Sequence, residues 1–515
     1  MKLKSILLSI VLILSTTLIF SNEINHGEIM KGQLYNNKQY LGEKNNFYYI
    51  FSYGVIIKLD ASYNIVQKSE NLYKRDDKKY FQSIKMVGNK IVVIYKSKKS
   101  KAGEAGIFYN SFKLNNLSLD KDITLVKNYV LIEGHQLNAF FINSEDLSKA
   151  VIVCQLSEKQ KNTTYSAFVT NEDLILSDEF DFVTEYGKSQ FGSLLLDNSG
   201  NLYVCKQSFT YKKITPMHFQ RNYDHTEILK FSTTNQFSEM NIDLGKFTTS
   251  DVNLKMNNNG ELICYGYYTN NWDYNTIGFF NLKMNKEFNV VDYSYLKEFT
   301  PNLIQERWND YKDKPVKETN KKPDYYENKI RSTYNTEDGG MLVLSEQYFT
   351  FGSISSGFSM SFGNYSGTVA ATPSERYDYT KDIIMTKTNI EGNIEWIKTI
   401  KKKQFSKSTD FKFVSFISQI KDNVVYIVFN DHIENTGDTP INKIKFVPYK
   451  YANSGTFLIK VDVESGEMTK KLLFDYASTK NMIATDTDLS SISNFSAFVR
   501  HGALNCGISK LNLTE

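Results

Sequence analysis

Apolar and polar residues alternate along much of this chain in pairs of short segments that flank a turn. The clearest pair covers residues 382–400: Ile384 and Thr388 belong to the alternation before the turn at Gly392, and Ile394 and Trp396 follow it. Alternation with a period of two around a Gly-Asn turn is typical of a β-hairpin. Weaker copies recur along most of the sequence, which predicts an all-β protein.

Two kinds of hairpin alternate. One kind resembles the pair at 382–400, and the other has a turn followed by a strongly apolar strand, as in residues 194–205 and 253–267. Turns of the second kind recur at intervals of roughly 55 to 85 residues, with one hairpin of the first kind between consecutive members. A repeating unit of four strands is typical of a β-propeller, whose blades stack face to face and bury both sides of each sheet.

We predict a β-propeller of seven blades, each with four antiparallel strands, and six or eight blades are the alternatives. A last hairpin at residues 490–513 completes the first blade or begins an eighth. The rival architectures are two stacked smaller β-domains or a pair of β-sandwiches. The predicted blades cover residues 30–68, 80–120, 135–178, 190–242, 250–292, 331–400 and 410–475.

Four long insertions interrupt the repeat. In a four-stranded meander, the connection between strands two and three leaves the blade at the same end as the link to the next blade. We therefore expect all four insertions on one face of the disc, the loop face, and only short turns on the opposite face, the short-turn face. Long loops on a rigid scaffold commonly carry function. The insertions are residues 207–225, 298–329, 347–381 and 430–454.

The amino terminus has the pattern of a targeting segment. Lys2 and Lys4 precede an apolar run over residues 6–20, and the small Ser21 suits a cleavage site. We predict a signal peptide at 1–21, an exported protein that is periplasmic or secreted, and a single propeller domain at 22–515. An uncleaved anchor is the alternative. No second long apolar run follows, so we expect no membrane span in the mature chain.

The composition argues against one class of partner and predicts the state of the cysteines. The formal net charge is only +4 and the lysines are scattered, so we expect no nucleic-acid partner. The chain has four cysteines, and Cys154, Cys205 and Cys264 lie in predicted strands among apolar neighbours. This pattern predicts free buried thiols rather than a disulfide framework.

One stretch resembles a known group of proteins. After Asp382 and Ile383 come Gly392, the Asn-Ile pair and Trp396, then a lysine-rich segment ending at Gln404 and the strand that leads to Asp431. In this order, residues 337–431 resemble the uncharacterised secreted β-propeller-like proteins of Bacteroidetes type, whose blade repeat carries G-N-I-x-W. The resemblance implies a propeller fold and export, and it brings no known activity.

The sequence offers little catalytic chemistry. It holds no HExxH pair, G-x-S-x-G elbow, phosphate loop or dinucleotide fingerprint, so we expect no metal and no cofactor. Residues 197–201 and 257–261 resemble calcium loops but lack the later bidentate glutamate, and we predict tight turns there. A metal would require the histidines of two insertions, His218, His225 and His432, to converge.

The predicted loop face is rich in aromatic residues and arginine, which dominate interface hot spots. These residues bind a ligand or anchor their own loops to the disc. We predict an exported non-enzymatic propeller that recognises a protein, peptide or glycan through this face. The alternative is a secreted hydrolase or lyase acting on a polysaccharide, with its site in the funnel of the same face, and a structural envelope component is a third possibility. The predicted binding residues are Arg221, Tyr223, Trp272, Trp308, Arg376, Tyr377, Tyr379 and His432.

Overall fold

The structure is a computed structural model, and the part of it that is described is built almost entirely from strands and turns. Its helical elements are one 3-10 turn, Leu72–Lys74, and one short helix, α1 (Tyr476–Thr479). None of the helices in the described part is long and apolar enough to cross a membrane. The described residues are 24–511 without 27–29, 32–37, 75–78, 98–102, 132–135, 158–161, 186–187, 216–217, 234–235, 271–275, 286–287, 293–296, 300–327, 353–375, 408–413, 436–442, 446, 448–452, 484–495 and 502–504.

The chain begins with two short strands and then enters the first three blades. The short strands are β1 (Ile24–His26) and β2 (Met30–Lys31). Blade 1 comprises β3 (Lys38–Lys44), β4 (Phe47–Ser52), β5 (Val55–Leu59) and β6 (Ile65–Lys68). Blade 2 comprises β7 (Lys79–Val87), β8 (Lys90–Ser97), β9 (Glu104–Lys113) and β10 (Leu119–Val130). Blade 3 comprises β11 (Gln136–Asn143), β12 (Lys149–Ser157), β13 (Thr163–Asn171) and β14 (Leu176–Thr184).

Blades 4 to 6 follow the same plan, and blades 5 and 6 each gain a short fifth strand. Blade 4 comprises β15 (Ser189–Leu196), β16 (Leu202–Thr215), β17 (His218–Phe231) and β18 (Phe237–Ile242). Blade 5 comprises β19 (Phe247–Met256), β20 (Leu262–Asn270), β21 (Thr276–Met284), β22 (Val290–Asp292) and β23 (Lys297–Glu298). Blade 6 comprises β24 (Asn328–Asn335), β25 (Met341–Gly352), β26 (Arg376–Thr388), β27 (Ile394–Ile400) and β28 (Gln404–Lys407).

Blade 7 is followed by the strands of the carboxyl-terminal region. Blade 7 comprises β29 (Ile417–Lys421), β30 (Val424–His432), β31 (Ser454–Asp462) and β32 (Met468–Asp475). The last strands are β33 (Asn481–Ile483), β34 (Ser496–His501) and β35 (Asn505–Leu511). Within each blade, consecutive strands pair antiparallel in chain order. The prediction of an all-β propeller with seven blades of four antiparallel strands is therefore confirmed.

Strands from the two ends of the chain form one further sheet, which settles where the last hairpin goes. Its order is β1-β35-β34-β33, and β2 also pairs with β35. β33 contacts β30 and β31 of blade 7, while Met482 packs against Tyr40 and Ile50 of blade 1. The terminal sheet thus lies between the last blade and the first and joins them.

The hydrophobic core lies between the blades because each sheet is apolar on both sides. In β12, Val151 and Val153 pack against blade 4, while Ile152 and Cys154 pack against blade 2. Successive side chains of a strand point to opposite faces, so a strand covered on both faces becomes a continuous apolar run. The thiols of Cys154, Cys205 and Cys264 are free and buried, as predicted, and burial raises the pKa of the Cys154 thiol to about 12.

A five-residue turn recurs at the short-turn face. In the turn that starts at Asp197, the Asp197 amide donates to the Asn201 carbonyl and the Gly200 amide donates to the Asp197 carbonyl, both at 3.0 Å. The fourth residue has a positive φ, which glycine adopts at no steric cost. The same hydrogen bonds recur in the turns that start at Asp60, Asn171, Asn257, Asn285, Thr336 and Asn389.

Candidate functional site: a polar pocket at the short-turn face

A polar pocket lies between blades 4 and 5 at the short-turn face. Its volume is about 930 Å³. The turns 197–201 and 257–261 join the first two strands of these blades and form its walls, and the turn 285–289 of blade 5 adds a third side. Asn143 and Glu145 of blade 3 complete the lining. The site is therefore assembled from three blades.

Side chains inside the two main turns hold the pocket walls in place. Asp197 accepts the Asn201 amide at 2.8 Å through Oδ1 and the Asn201 side chain at 2.7 Å through Oδ2. Asn257 accepts the Glu261 amide at 2.9 Å and donates to the Glu261 carboxylate at 2.8 Å. These side chains stabilise the turns themselves, which agrees with tight turns rather than calcium loops.

Four asparagine side chains of the lining offer amide nitrogens to the pocket. The carbonyl oxygen of Asn198 accepts the Asp146 amide at 3.3 Å, and that of Asn258 accepts from Asn335 of blade 6 at 2.9 Å. The oxygen of Asn285 accepts the Asn289 amide at 2.9 Å. Within the described residues, the side-chain nitrogens of these three asparagines and of Asn259 donate to no protein group.

On one side of the pocket, the ammonium of a lysine lies over two neighbouring aromatic rings. The ring centroids of Tyr203 and Phe288 are 6.3 Å apart, and the Lys230 ammonium lies 5.8 Å from each centroid. A cation at this distance from two rings is attracted by their negative faces. The Tyr203 hydroxyl donates to Asp197 at 3.4 Å, and burial raises the pKa of Tyr203, so this hydroxyl stays neutral.

Lys255 is the partly buried cation of the pocket. Its ammonium donates to the carbonyl of Thr333 in blade 6 at 3.0 Å and forms no ion pair with any carboxylate of the described residues. Burial lowers the pKa of Lys255, and the charge of Glu145 partly opposes this shift. The ammonium therefore has hydrogen-bonding capacity that the protein leaves unused.

A smaller pocket of about 400 Å³ lies at the root of the long β16–β17 hairpin on the loop face. His225 and Lys206 are part of its lining. Their side chains share one carboxylate, since Glu227 pairs with His225 Nε2 at 2.8 Å and with Lys206 at 3.1 Å. The charges of this pocket are largely balanced by one another, which makes it the weaker candidate for a ligand.

Comparisons with known proteins assign this chain to no family. No protein-family model matches the sequence, and no curated protein matches it. The WD40 domain of SCAP from fission yeast is 10% identical with a TM-score of 0.39, over 94% of this chain and 98% of that one. The β-propeller domain of the Trilobed protease from Pyrococcus furiosus is 11% identical with a TM-score of 0.32, over 86% and 98%. The polysaccharide lyase Uly1 is 10% identical with a TM-score of 0.34, over 84% and 90%.

The predicted binding residues mostly remain predictions. Arg221 and Tyr223 lie in β17, and Arg376, Tyr377 and Tyr379 lie in β26, where only the backbone is described. Trp272 and Trp308 lie outside the described residues. His432, at the end of β30, is buried and its Nδ1 accepts the Glu434 amide at 3.2 Å.

The structure describes two of the three histidine side chains that a metal site on the loop face would need, His225 and His432. His225 belongs to blade 4 and His432 to blade 7, so different blades hold them. Among the described residues, no group of three His, Cys, Asp or Glu side chains is arranged to hold a metal ion.

Sequence reasoning missed the pocket of the short-turn face. The run Asn257-Asn258-Asn259 and the Asp197-Asn198 pair were interpreted as turn residues, and that interpretation is correct for their backbone. A signal was present, because a tight turn uses the side chain of its first residue, whereas two further consecutive asparagines exceed that need. Only the packing of blades 3, 4 and 5 shows that these side chains share one cavity.

Proposed function

We propose that this protein is an exported, non-enzymatic binding propeller whose ligand is a glycan, held in the polar pocket of the short-turn face. The observation that carries the proposal is a group of four asparagine nitrogens that have no partner among the described residues and share one pocket with the Tyr203–Phe288 pair. Each of these amide nitrogens carries two N–H donors, which the hydroxyl oxygens of a sugar can accept. Tyr203 and Phe288 are themselves buried, so they support the pocket wall and hold the Lys230 ammonium over their rings.

A pocket of this kind favours a glycan over a protein ligand. A stable protein interface covers about 800 Å² per partner and centres on a dry, apolar cluster. The pocket is instead concave and lined largely by amides and charged groups. A few convergent polar groups in a concave site are characteristic of small-ligand recognition.

The experiment is a glycan array probed with the mature chain, beginning at about residue 22. The test variant is the double substitution Asn258→Ala and Asn259→Ala, which removes two of the four amide nitrogens from exposed turn positions. The matched control is Asn115→Ala, an exposed turn residue of blade 2 at the same face. We expect glycan binding that the double variant loses and the control keeps. Binding that the double variant retains in full would refute the pocket as the site.

The loop face is a second proposed binding surface, and it requires its own variant. Strands β25 and β26 extend beyond the blade toward the segment 353–375, within the predicted insertion 347–381. Replacing 347–381 by a short Gly-Ser turn removes the insertion. If this variant folds and loses a ligand that the pocket variant keeps, the loop face recognises a partner of its own. If it retains every ligand, the loop-face proposal fails.

Export is proposed from residues 1–21, which lie outside the described residues. The test is the amino-terminal sequence of the protein recovered from outside the cytoplasm of an expressing bacterium. A new terminus near residue 22 would support cleavage. An intact amino terminus in the membrane fraction would support the uncleaved anchor instead.

The enzymatic alternative is favoured by one observation. His225 in the loop-face pocket is oriented by Glu227 through Nε2, while no described group contacts its Nδ1. A histidine positioned in this way suits general base catalysis. The test is the release of new reducing or unsaturated ends from any polysaccharide that binds, with His225→Asn as the variant. Activity lost in the variant would establish an enzyme, and no release by the wild type would end this alternative.

A further inference from the structure

We infer that the polar pocket selects acidic glycans and that Lys255 binds the anionic substituent of the sugar. This inference rests on the proposed glycan-binding function and adds the class of ligand. Its basis is the chemistry of three lining features: the partly buried ammonium of Lys255, the unused amide nitrogens of the asparagines, and the lysine over the aromatic pair.

Lys255 is a cation whose local compensation is incomplete. Moving an ammonium out of water is costly unless it is paired and hydrogen-bonded. Lys255 is the penultimate residue of β19, and its described hydrogen bond is the one to the Thr333 carbonyl. Glu145 is exposed, and its negative charge acts on the Lys255 ammonium from a distance, without a hydrogen bond between the two described side chains. An anionic ligand in the pocket would supply the missing partner.

The pocket wall holds unused donors beside two acceptors, Oδ1 of Asn143 and the Glu145 carboxylate, that no group of the described residues engages. The carboxylate of Asp197 is engaged by Asn201 and Tyr203, so it repels an anion less than a free carboxylate would. The oxygens of Asn198, Asn258 and Asn285 are occupied while their nitrogens are not. A ligand that accepts hydrogen bonds fits this arrangement best, and hydrogen bonds to a charged group are the stronger ones.

A second cation stands on the same side as the aromatic rings. The Lys230 ammonium lies over both Tyr203 and Phe288, which keeps its charge at the pocket wall. The two rings are buried, and they hold at the wall a positive charge that attracts a negatively charged edge of a sugar. Carboxylate and sulfate groups share this chemistry, so the test includes both.

The test measures affinity by calorimetry for two matched pairs of ligands. One pair is an oligogalacturonate and its methyl ester, and the other is a sulfated galactan oligosaccharide and its desulfated form. We expect the charged member of one pair to bind roughly tenfold or more tighter, since a hydrogen bond to a charged group contributes about 1.5–3 kcal/mol. The pair that shows this preference identifies the anionic group.

The site is tested with Lys255→Met, which keeps the length of the side chain and removes its charge. The matched control is Lys283→Met, a lysine of the neighbouring strand β21 that is paired with Glu261 at 2.7 Å. We expect Lys255→Met to abolish the preference for the charged ligand and Lys283→Met to retain it. A preference unchanged in a folded Lys255→Met variant would overturn the role of this residue.

The outcomes separate the inference from the proposed function. If charged and uncharged ligands bind equally well, the inference is wrong and glycan binding at the pocket stands. If none of the four ligands binds and the array shows no glycan, both are wrong. If Lys255→Met does not fold, the salt dependence of the wild type provides the test. Raising the salt concentration should weaken its affinity for the charged ligand several-fold and leave its affinity for the uncharged ligand unchanged.

Discussion

Lys402 and Glu346 are both fully buried, and the Lys402 ammonium contacts the Glu346 carboxylate at the loop-face end of blade 6. The other carboxylate oxygen accepts from Ser415 at 2.7 Å and pairs with Arg331 at 3.0 Å. Ser415 immediately precedes blade 7, so the pair anchors the link between two blades. It also anchors the strands from which the insertion 347–381 leaves, because Glu346 belongs to β25.

Breaking this buried pair should destabilise the protein strongly. We expect Lys402→Met to lower the free energy of unfolding by about 3–5 kcal/mol, because Glu346 would remain a buried charge with one partner fewer. Denaturant unfolding measures the change. Lys188→Met removes the exposed pair with Glu185, 3.2 Å apart, and should leave the unfolding midpoint unchanged. Equal effects of the two substitutions would contradict the role of burial.

Acid should remove the stabilisation that Glu346 provides. Burial raises the pKa of this carboxyl, but Lys402 and Arg331 outweigh burial and hold the pKa below its ordinary value of 4.5. As the pH falls, the Glu346 carboxylate is therefore protonated in the unfolded chain before it is protonated in the folded protein. Its stabilisation is complete above pH 4.5 and is lost as the pH falls through the folded-state pKa. The free-energy difference between the wild type and Glu346→Gln should therefore narrow below pH 4.5. A difference that stays constant down to about pH 3 would argue against this linkage.

The recurring turn predicts an unusual order of substitutions at Leu174. This leucine has φ of 60° and is almost fully buried, and its carbonyl accepts the Tyr109 hydroxyl at 2.9 Å. Leu174→Ala should cost about 2–5 kcal/mol through the lost side chain. Leu174→Gly loses the same contacts but relieves about 1–2 kcal/mol of left-handed strain, so the glycine variant should be at least as stable as the alanine variant. Leu229 is a buried strand residue and serves as the comparison. At this position the Leu229→Ala variant should be more stable than the Leu229→Gly variant.

The amino-terminal strands should be needed to join the first and last blades. Deleting residues 22–31 removes β1 and β2, which pair with β35. The freed edge of β35 would offer unpaired backbone groups to another chain. We expect a lower melting temperature and self-association on size-exclusion chromatography, relative to a chain that starts at residue 22. A truncated chain that stays monomeric with the same melting temperature would show that this pairing is dispensable.

Local sequence determined the blades because the information for a hairpin is local. In β12, alternate residues face two different blades, and this produces the apolar run that marks the strand in the sequence. The turn at Gly392 follows from a residue that tolerates positive φ. Repetition of these units then predicts stacking, since a four-stranded sheet with two apolar faces must cover both.

The tertiary structure alone decided where the terminal hairpin pairs and where the pocket lies. Pairing of β35 with β1 joins residues from opposite ends of the chain, and no local pattern encodes such a pairing. The pocket likewise depends on Asn198 meeting blade 3 and on Asn258 meeting blade 6. Each of these asparagines is, by itself, an ordinary turn residue. They line one pocket because the blades that carry them pack side by side. The hydrophobic periodicity of the sequence does not record this long-range packing.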